Sequence, residues 1–319
     1  MIDNGLLKHY PQLASSDGFL KTKDLDLKPL PVSLKGVATP YFYQSNVVWY
    51  KHEDDGEIES QVLLSQLYSK LGLKSAIYMP AVDEHGDHLT ISDNVDTADN
   101  ISGRRFFKRL YEIFPKEVVD GELIKRVAPV SVLTSVEKPN LITLDQSILF
   151  GSPTFLPLLK DYLKKYKPEE FDFVSFFTKD GMRDFIKMHV MDTGSCNIDR
   201  NSSNFYFKID GSGKICGIET IDHSMSKNYL LNEGFKYATY INFLGPFSEA
   251  TRTEMVDELR NNETVQQFML RQEMAEIVGN VEVEKTAQDI KQATGFEIDT
   301  EYVDGLARSY DSLANDLAR

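Results

Sequence analysis

The stretch from His189 to Ser224, HVMDTGSCNIDRNSSNFYFKIDGSGKICGIETIDHS, constrains this chain more than any other, because it gathers Asp199, Asn204 and Asp222 into one local pattern. Asp199 and Asn204 stand as D-x-x-x-x-N. Two β-rich runs follow, Phe205 to Ile209 and Lys214 to Ile221, and the polar turn Asp210-Gly211-Ser212-Gly213 between them predicts a hairpin. Its second strand returns Asp222 beside Asn204. A carboxylate next to an amide oxygen makes a hard-oxygen donor set of the kind Mg²⁺ prefers.

The D-x-x-x-x-N separation is that of kinase catalytic loops, where the Asp meets the attacking hydroxyl and the Asn reaches a magnesium ion. Asn197-Ile198-Asp199-Arg200 followed by Asn204-Phe205, and then Thr220-Ile221-Asp222-His223, resembles the N-x-D-x-x-x-x-N-F and I-D-H-G pair of the atypical kinases. That group includes the HipA-like toxin kinases and the phosphatidylinositol 3- and 4-kinase-like enzymes. Asn201 stands where many members have His, and Ser224 where Gly is common; neither position is a metal ligand or a base in the family.

A second motif overlaps the first. Val190-Met191-Asp192-Thr193-Gly194-Ser195 reads like the D-T-G-S of aspartic proteases, which need two carboxylates sharing one proton. A single-chain protease requires a second D-T-G or D-S-G, and none occurs in these 319 residues. The preceding residues also disagree, since Asp180 as a cap and an apolar face of Met182, Phe185, Ile186 and His189 predict a helix where the protease motif follows a strand.

Ahead of this stretch the chain reads in order as an upper lobe. Residues 1 to about 30 form an N-terminal lead with at most a short helix. Pro31 to Leu34, a turn from Lys35 to Pro40, and Tyr41 to Gln44 predict a hairpin whose Gly36 and neighbouring N–H groups suit phosphate cover. Val47 to Lys51 predicts a strand ending in a lysine, and Gly56 to Leu73 a helix stopped by Gly72. In a kinase that lysine pairs with the nucleotide phosphates and with a Glu on the next helix. Glu59 is the expected partner and Glu57 the alternative, while counting back from Leu71-Gly72-Leu73 puts Gln61 at the family-aligned position.

Ser75 to Val82 and His88 to Asn94 predict a further strand pair with a polar tip, and Asn94 to Gly103 a hinge. Beyond it, Phe106, Phe107, Leu110, Tyr111 and Phe114 fall at helical spacing, as do Phe155 to Tyr166. After Asp222, His223 to Lys236 reads as an activation-type loop carrying Ser224, Ser226 and Tyr229. Two apolar stripes, from Val265 to Val278 and from Tyr302 to Leu313, predict a helical tail.

A length of 319 residues predicts two lobes or domains, and a net charge of −14 argues against nucleic acid and against an anionic membrane surface. The same charge disfavours a lipid kinase. The start, MIDNGLLKHYPQ, lacks the basic region and apolar core of a signal peptide, so a cytoplasmic protein is expected. Cys196 and Cys216 form neither a disulfide framework nor a metal-ligand spacing and read as small buried residues.

The resemblance thus implies an α+β, two-lobe protein-kinase-like fold. Residues 1–95 are expected to form the β-rich N-lobe with one helix, and 96–319 the mainly helical C-lobe. It implies an ATP-dependent phosphotransferase, a HipA-like serine/threonine protein kinase acting on a protein hydroxyl. In it Asp199 serves as base, Lys51, Gly36 and Glu59 serve the nucleotide, Asn204 and Asp222 hold Mg²⁺, and Arg200 steadies the loop or binds a phosphorylated residue. A non-catalytic pseudokinase acting through its helical tail is the alternative.

Overall fold

Val47-Val48-Trp49-Tyr50 is a run of β-branched and aromatic side chains that suits a pleated, half-buried surface better than a helix. In the computed structural model, which describes residues 16–30, 38–43, 46–95, 100–107, 173–230, 237–239 and 248–319, this run is the middle of an upper sheet. The strands are β1 (Leu20–Lys21), β2 (Lys28–Pro29), β3 (Ala38–Tyr43), β4 (Asn46–His52), β5 (Lys74–Ser75), β6 (Tyr78–Val82) and β7 (His88–Asp93). All but β5 form one sheet in the order β1-β6-β7-β4-β3-β2. Antiparallel register sets Lys51 of β4 opposite Thr90 of β7 and Ala38 of β3.

Helix α1 (Asp55–Lys70) packs against β5, β6 and β7. It starts at a capping box in which Asp54 accepts from the Glu57 amide at 2.8 Å while Glu57 accepts from the Asp54 amide at 3.3 Å. It stops because Gly72 takes φ +76°, which lets the Leu73 amide close back on the Tyr68 carbonyl at 3.0 Å. Ile58, Val62, Leu63, Leu64 and Leu67 are buried, each contributing roughly 1.5–3 kcal/mol of burial.

The second sheet joins the lobes. Strands β8 (Asn100–Ser102), β9 (Phe205–Ile209) and β10 (Ile215–Thr220) combine with β5 in the order β5-β10-β9-β8. The expected hairpin is β9 with β10, antiparallel, Thr220 opposite Phe205. Beneath it lies an aromatic core of Phe106, Phe173, Phe177, Phe185, Phe205 and Phe207, whose rings meet mostly edge to face.

Helix α2 (Lys179–Ser195) runs into the central stretch, and α3 (Ser226–Tyr229) follows it. Strands β11 (Tyr237–Thr239) and β12 (Ser248–Ala250) pair with each other. The tail comprises α4 (Arg252–Asn261), α5 (Glu263–Phe268), α6 (Arg271–Gly279), α7 (Val283–Thr294) and α8 (Thr300–Ala318). Sheets thus dominate the N-terminal half and helices the C-terminal half, an α+β two-lobe arrangement. Among the described residues no helix is long and apolar enough to cross a membrane.

Several local expectations are corrected. Within residues 16–30 the N-terminal lead holds β1, a single 3₁₀ turn and β2, and residues 1–15, where a short helix could fall, lie outside the described residues. Ala38 to Pro40, read as turn, begin β3. The run from Ser75 to Val82 is divided, because the Ala76 amide bonds the Thr220 carbonyl at 2.9 Å and draws β5 into the second sheet. Thr178, not Asp180, caps α2, accepting from the Gly181 amide at 3.1 Å. The stripe from Val265 to Val278 is split between α5 and α6 where Met269 turns extended. Gly36 and the segments Pro31 to Leu34, Leu110 to Phe114 and Phe155 to Tyr166 lie outside the described residues.

Candidate active site

The site is assembled from the end of α2 upward. Cys196 caps that helix in the left-handed conformation, φ 54°, and turns the chain into the loop that carries Asp199. Two short turns follow, Asn201 N–H to the Asp199 carbonyl at 2.9 Å and Asn204 N–H to the Asn201 carbonyl at 3.0 Å. Asn204 Nδ2 donates to the Asp199 carbonyl at 2.7 Å, and Asn201 Nδ2 donates to Asp199 Oδ1 at 3.0 Å. Asn201, the departure from the family's His, thereby orients the carboxylate that the resemblance assigns as base.

The hairpin returns Asp222 to this loop. The Ile221 amide bonds the Asn204 carbonyl at 3.0 Å, so the backbones of the two expected metal ligands are adjacent. Asp222 has φ 55°, a strained conformation for a residue with a Cβ, and its amide is held by Tyr78 Oη at 2.9 Å. The carboxylate reaches into the upper lobe, where Oδ1 accepts from Lys51 Nζ at 3.1 Å, Gln61 Nε2 at 3.0 Å and Ser224 Oγ at 2.9 Å. Burial works to raise the Asp222 carboxyl, but the Lys51 ammonium and the Ser224 hydroxyl outweigh it and hold it below the usual range.

Lys51 has a second carboxylate, Glu53, at 2.8 Å. Burial works to discharge the ammonium, and Asp222 with Glu53 outweighs it, keeping Lys51 above the ordinary lysine range. Glu53 is itself buried, and there burial wins: its carboxyl is raised although Lys51, Thr90 and Gln61 all donate toward it.

Below these groups lies a fully buried fork. Arg200 Nε donates to Asp192 Oδ2 at 2.9 Å and Nη2 to Asp192 Oδ1 at 3.0 Å, while Nη1 donates to the carbonyls of Asn204 and Ile221, both at 2.6 Å. One side chain therefore ties α2, the Asp199 loop and the hairpin together. Arg200 Nη2 also meets His223 Nδ1 at 3.0 Å, and because a guanidinium can only donate, Nδ1 must accept. His223 is then neutral with its proton on Nε2, facing Ser75 Oγ at 2.9 Å. Burial, reinforced by Arg200, pushes its pKa well below the ordinary histidine value.

The D-T-G-S run is accounted for without protease chemistry. Asp192 is the buried counterion of Arg200 and also accepts from Tyr68 Oη at 2.8 Å and Asn197 Nδ2 at 3.1 Å. Thr193 Oγ1 donates back to the His189 carbonyl at 2.7 Å, and Gly194 lies against the Tyr310 ring.

The expected residues divide as follows. The fold brings Lys51 together with Asp222, and Asp199 with Asn204. Glu59 is not beside Lys51: it pairs with Lys227 at 2.8 Å and accepts the Asp299 amide at 3.0 Å. Glu57 is spent on the helix cap. For Glu59 the reason is helical phase, since it stands two residues and about 200° away from Gln61, which occupies the face turned inward. Arg200 is too deeply buried to meet a phosphorylated side chain. Cys196 is buried, but Cys216 is only half-buried. Glu53 was missed, although K-x-E at a strand end places both side chains on one face.

No family model matches the sequence, and no curated protein matches it. Solved structures do match. The chain is similar to a proinflammatory kinase, CtkA, of Helicobacter pylori, with 12% identity, 93% of this chain and 94% of that chain covered, and a TM-score of 0.51. It also matches a chain from the complex of HipA, HipB and operator DNA of a Shewanella oneidensis toxin–antitoxin system, with 11% identity, 93% of this chain and 68% of that one covered, and a TM-score of 0.42. The likeness to the first shows the fold, which is kinase-like.

Proposed function

We propose that this chain is an ATP-dependent phosphotransferase that transfers the γ-phosphoryl group to a protein serine or threonine hydroxyl. The observation that carries the reading is the meeting of Lys51 and Asp222, 171 residues apart in sequence and 3.1 Å apart in space, directly above the Asp199 and Asn204 loop. A cation paired with a carboxylate whose backbone adjoins the loop of Asp199 and Asn204 supports the arrangement phosphoryl transfer needs.

The donor set fits a magnesium ion. Among the described hydrogen bonds, Asp222 uses only Oδ1 and Asn204 only Nδ2, which leaves a carboxylate and an amide oxygen on adjacent backbones. When bound there, Mg²⁺ supplies positive charge against the nucleotide phosphates. Lys51 adds a fixed cation to the same phosphates. Asp199, aimed by Asn201 and Asn204, receives the acceptor's proton as the new O–P bond forms and the bond between the γ-phosphorus and its bridging oxygen breaks. The transition state is loose, so most of the rate gain comes from positioning and charge rather than early proton removal. The buried Arg200 fork keeps the loop and the hairpin in register.

Melting of the purified protein with and without Mg-ATP, followed by transfer of radioactive γ-phosphate to a generic protein acceptor, tests this. Stabilisation by Mg-ATP and label transfer abolished in Asp199→Asn are expected. A protein that neither binds Mg-ATP nor transfers label refutes the proposal.

A further inference from the structure

The helix that should carry the lysine's carboxylate carries an amide instead. α1 presents Gln61 toward the site, while Glu59 faces Lys227 and Glu57 caps the helix. The negative charge at Lys51 comes from Glu53, two residues further along the same segment. We infer that Glu53 is the positioning residue for Lys51, taking the place of a helix glutamate, and that Gln61 is the neutral bridge joining this pair to Asp222. The inference rests on the phosphotransferase reading and deepens it.

Gln61 is bonded as a bridge requires. Its Nε2 donates to Glu53 Oε1 at 3.1 Å and to Asp222 Oδ1 at 3.0 Å, and its Oε1 accepts the His223 amide at 2.7 Å. Every polar atom of the side chain is used. A glutamate here would put a third carboxylate against Glu53 and Asp222, and it would have no proton to donate to either. The amide removes that repulsion and adds two donors.

Glu53 is held from the sheet side. Thr90, which sits across from Lys51 on β7, donates to its Oε2. The lysine lies on β4, and its carboxylate, just past the end of β4 at His52 and ahead of the α1 cap at Asp54, is held from β7. In kinases whose lysine pairs with a helix glutamate, movement of that helix breaks the pair and the activity with it. Here a displaced α1 breaks the three hydrogen bonds of Gln61, while the Lys51–Glu53 pair is made between residues that both precede the helix.

The test is a charge-exchange cycle: Glu53→Gln, Gln61→Glu and the double variant, each measured for Mg-ATP affinity by calorimetry and for urea unfolding without nucleotide. Glu53→Gln should weaken Mg-ATP binding roughly ten- to a hundredfold, the range for losing one charged hydrogen bond. Gln61→Glu should lower unfolding stability through carboxylate repulsion. The double variant returns the carboxylate to the helix and should recover most of both losses. Recovery of stability without recovery of affinity would make the pair structural only and overturn the inference, as would parental affinity in Glu53→Gln. A parent that fails to bind Mg-ATP while the stability cycle closes removes the phosphotransferase reading, and the role toward nucleotide with it, but leaves the Glu53–Gln61 coupling measured.

Discussion

A proton acceptor and a metal ligand fail differently when each is made neutral, and the two aspartates of the site can be told apart on that ground. In the proposed mechanism Asp199→Asn keeps the shape of the loop and removes the base, so turnover should fall roughly 10²- to 10⁴-fold with magnesium-dependent nucleotide binding nearly unchanged. Asp222→Asn removes a charge that Lys51 uses and that the proposed ion would use, so binding of Mg-ATP should fall together with turnover. Asn204→Ala should show a milder form of the same defect. Titration of ATP affinity against magnesium, run beside single-turnover transfer, separates them, and normal Mg-ATP binding in Asp222→Asn would exclude it as a ligand. Asp192 makes a different kind of prediction. It is the buried partner of a fully buried arginine, and Asp192→Ala strands that charge. A loss of about 3–5 kcal/mol in urea unfolding is expected, with the Asp199 loop losing its anchor.

At the scale of elements, the contact between α2 and α8 decides how tightly the Asp199 loop is tethered. Gly194 in the last turn of α2 faces Tyr310 of α8, and a Cβ added there would come within 2.3 Å of the ring. The two helices cross closely because that position has no side chain. Gly194→Ala should therefore destabilise the protein by about 1–3 kcal/mol through overpacking, even though alanine is the better helix former. Chemical denaturation checks this, and a stabilised variant would show that the helices can part freely. The D-T-G-S letters were readable in the sequence, but what they meant was not. Asp192 and Gly194 owe their identities to Arg200 and Tyr310, and the second of these is more than a hundred residues away.

For the whole molecule, two buried histidines set the acid limit. Burial is the main cause that lowers His189 to about 4, and burial with Arg200 takes His223 well below its ordinary value. The unfolded chain therefore binds protons near pH 6.5 that the folded protein refuses, so stability is fully present above that pH and is lost as pH falls toward 4. His189 alone contributes roughly 3 kcal/mol to that loss. Asp93 acts in the opposite sense, because burial raises its carboxyl to about 6 and the folded form gains on protonation; the raised Glu53 works the same way. The His189 shift, from 6.5 to about 4, is at least as large as that of Asp93, from 3.8 to about 6, and His223 acts in the same direction as His189, so urea unfolding followed from pH 7.5 to 4.5 should show a net decline. Asp93→Asn, which removes an opposing contribution, should steepen it.

The local letters sufficed wherever the physics was local. Hairpin β9–β10 was legible because turn chemistry and alternation act within a dozen residues, and α1 because its apolar face and Gly72 do the same. Asp199 with Asn204 was legible for the same reason: a fixed spacing on one loop fixes their proximity. Pairings across the lobes were not. Nothing in the run from Glu57 to Gln61 says which side chain faces Lys51, because the phase of a helix is set by what it packs against, and the strand partner Glu53 draws its place from Thr90 on a neighbouring strand. The same holds for Arg200, whose five hydrogen bonds reach four residues in three segments. Short-range pattern determined which candidate residues share a loop or a hairpin, and tertiary packing decided which charges meet, because an ion pair between distant residues is a property of the folded geometry and has no local signature.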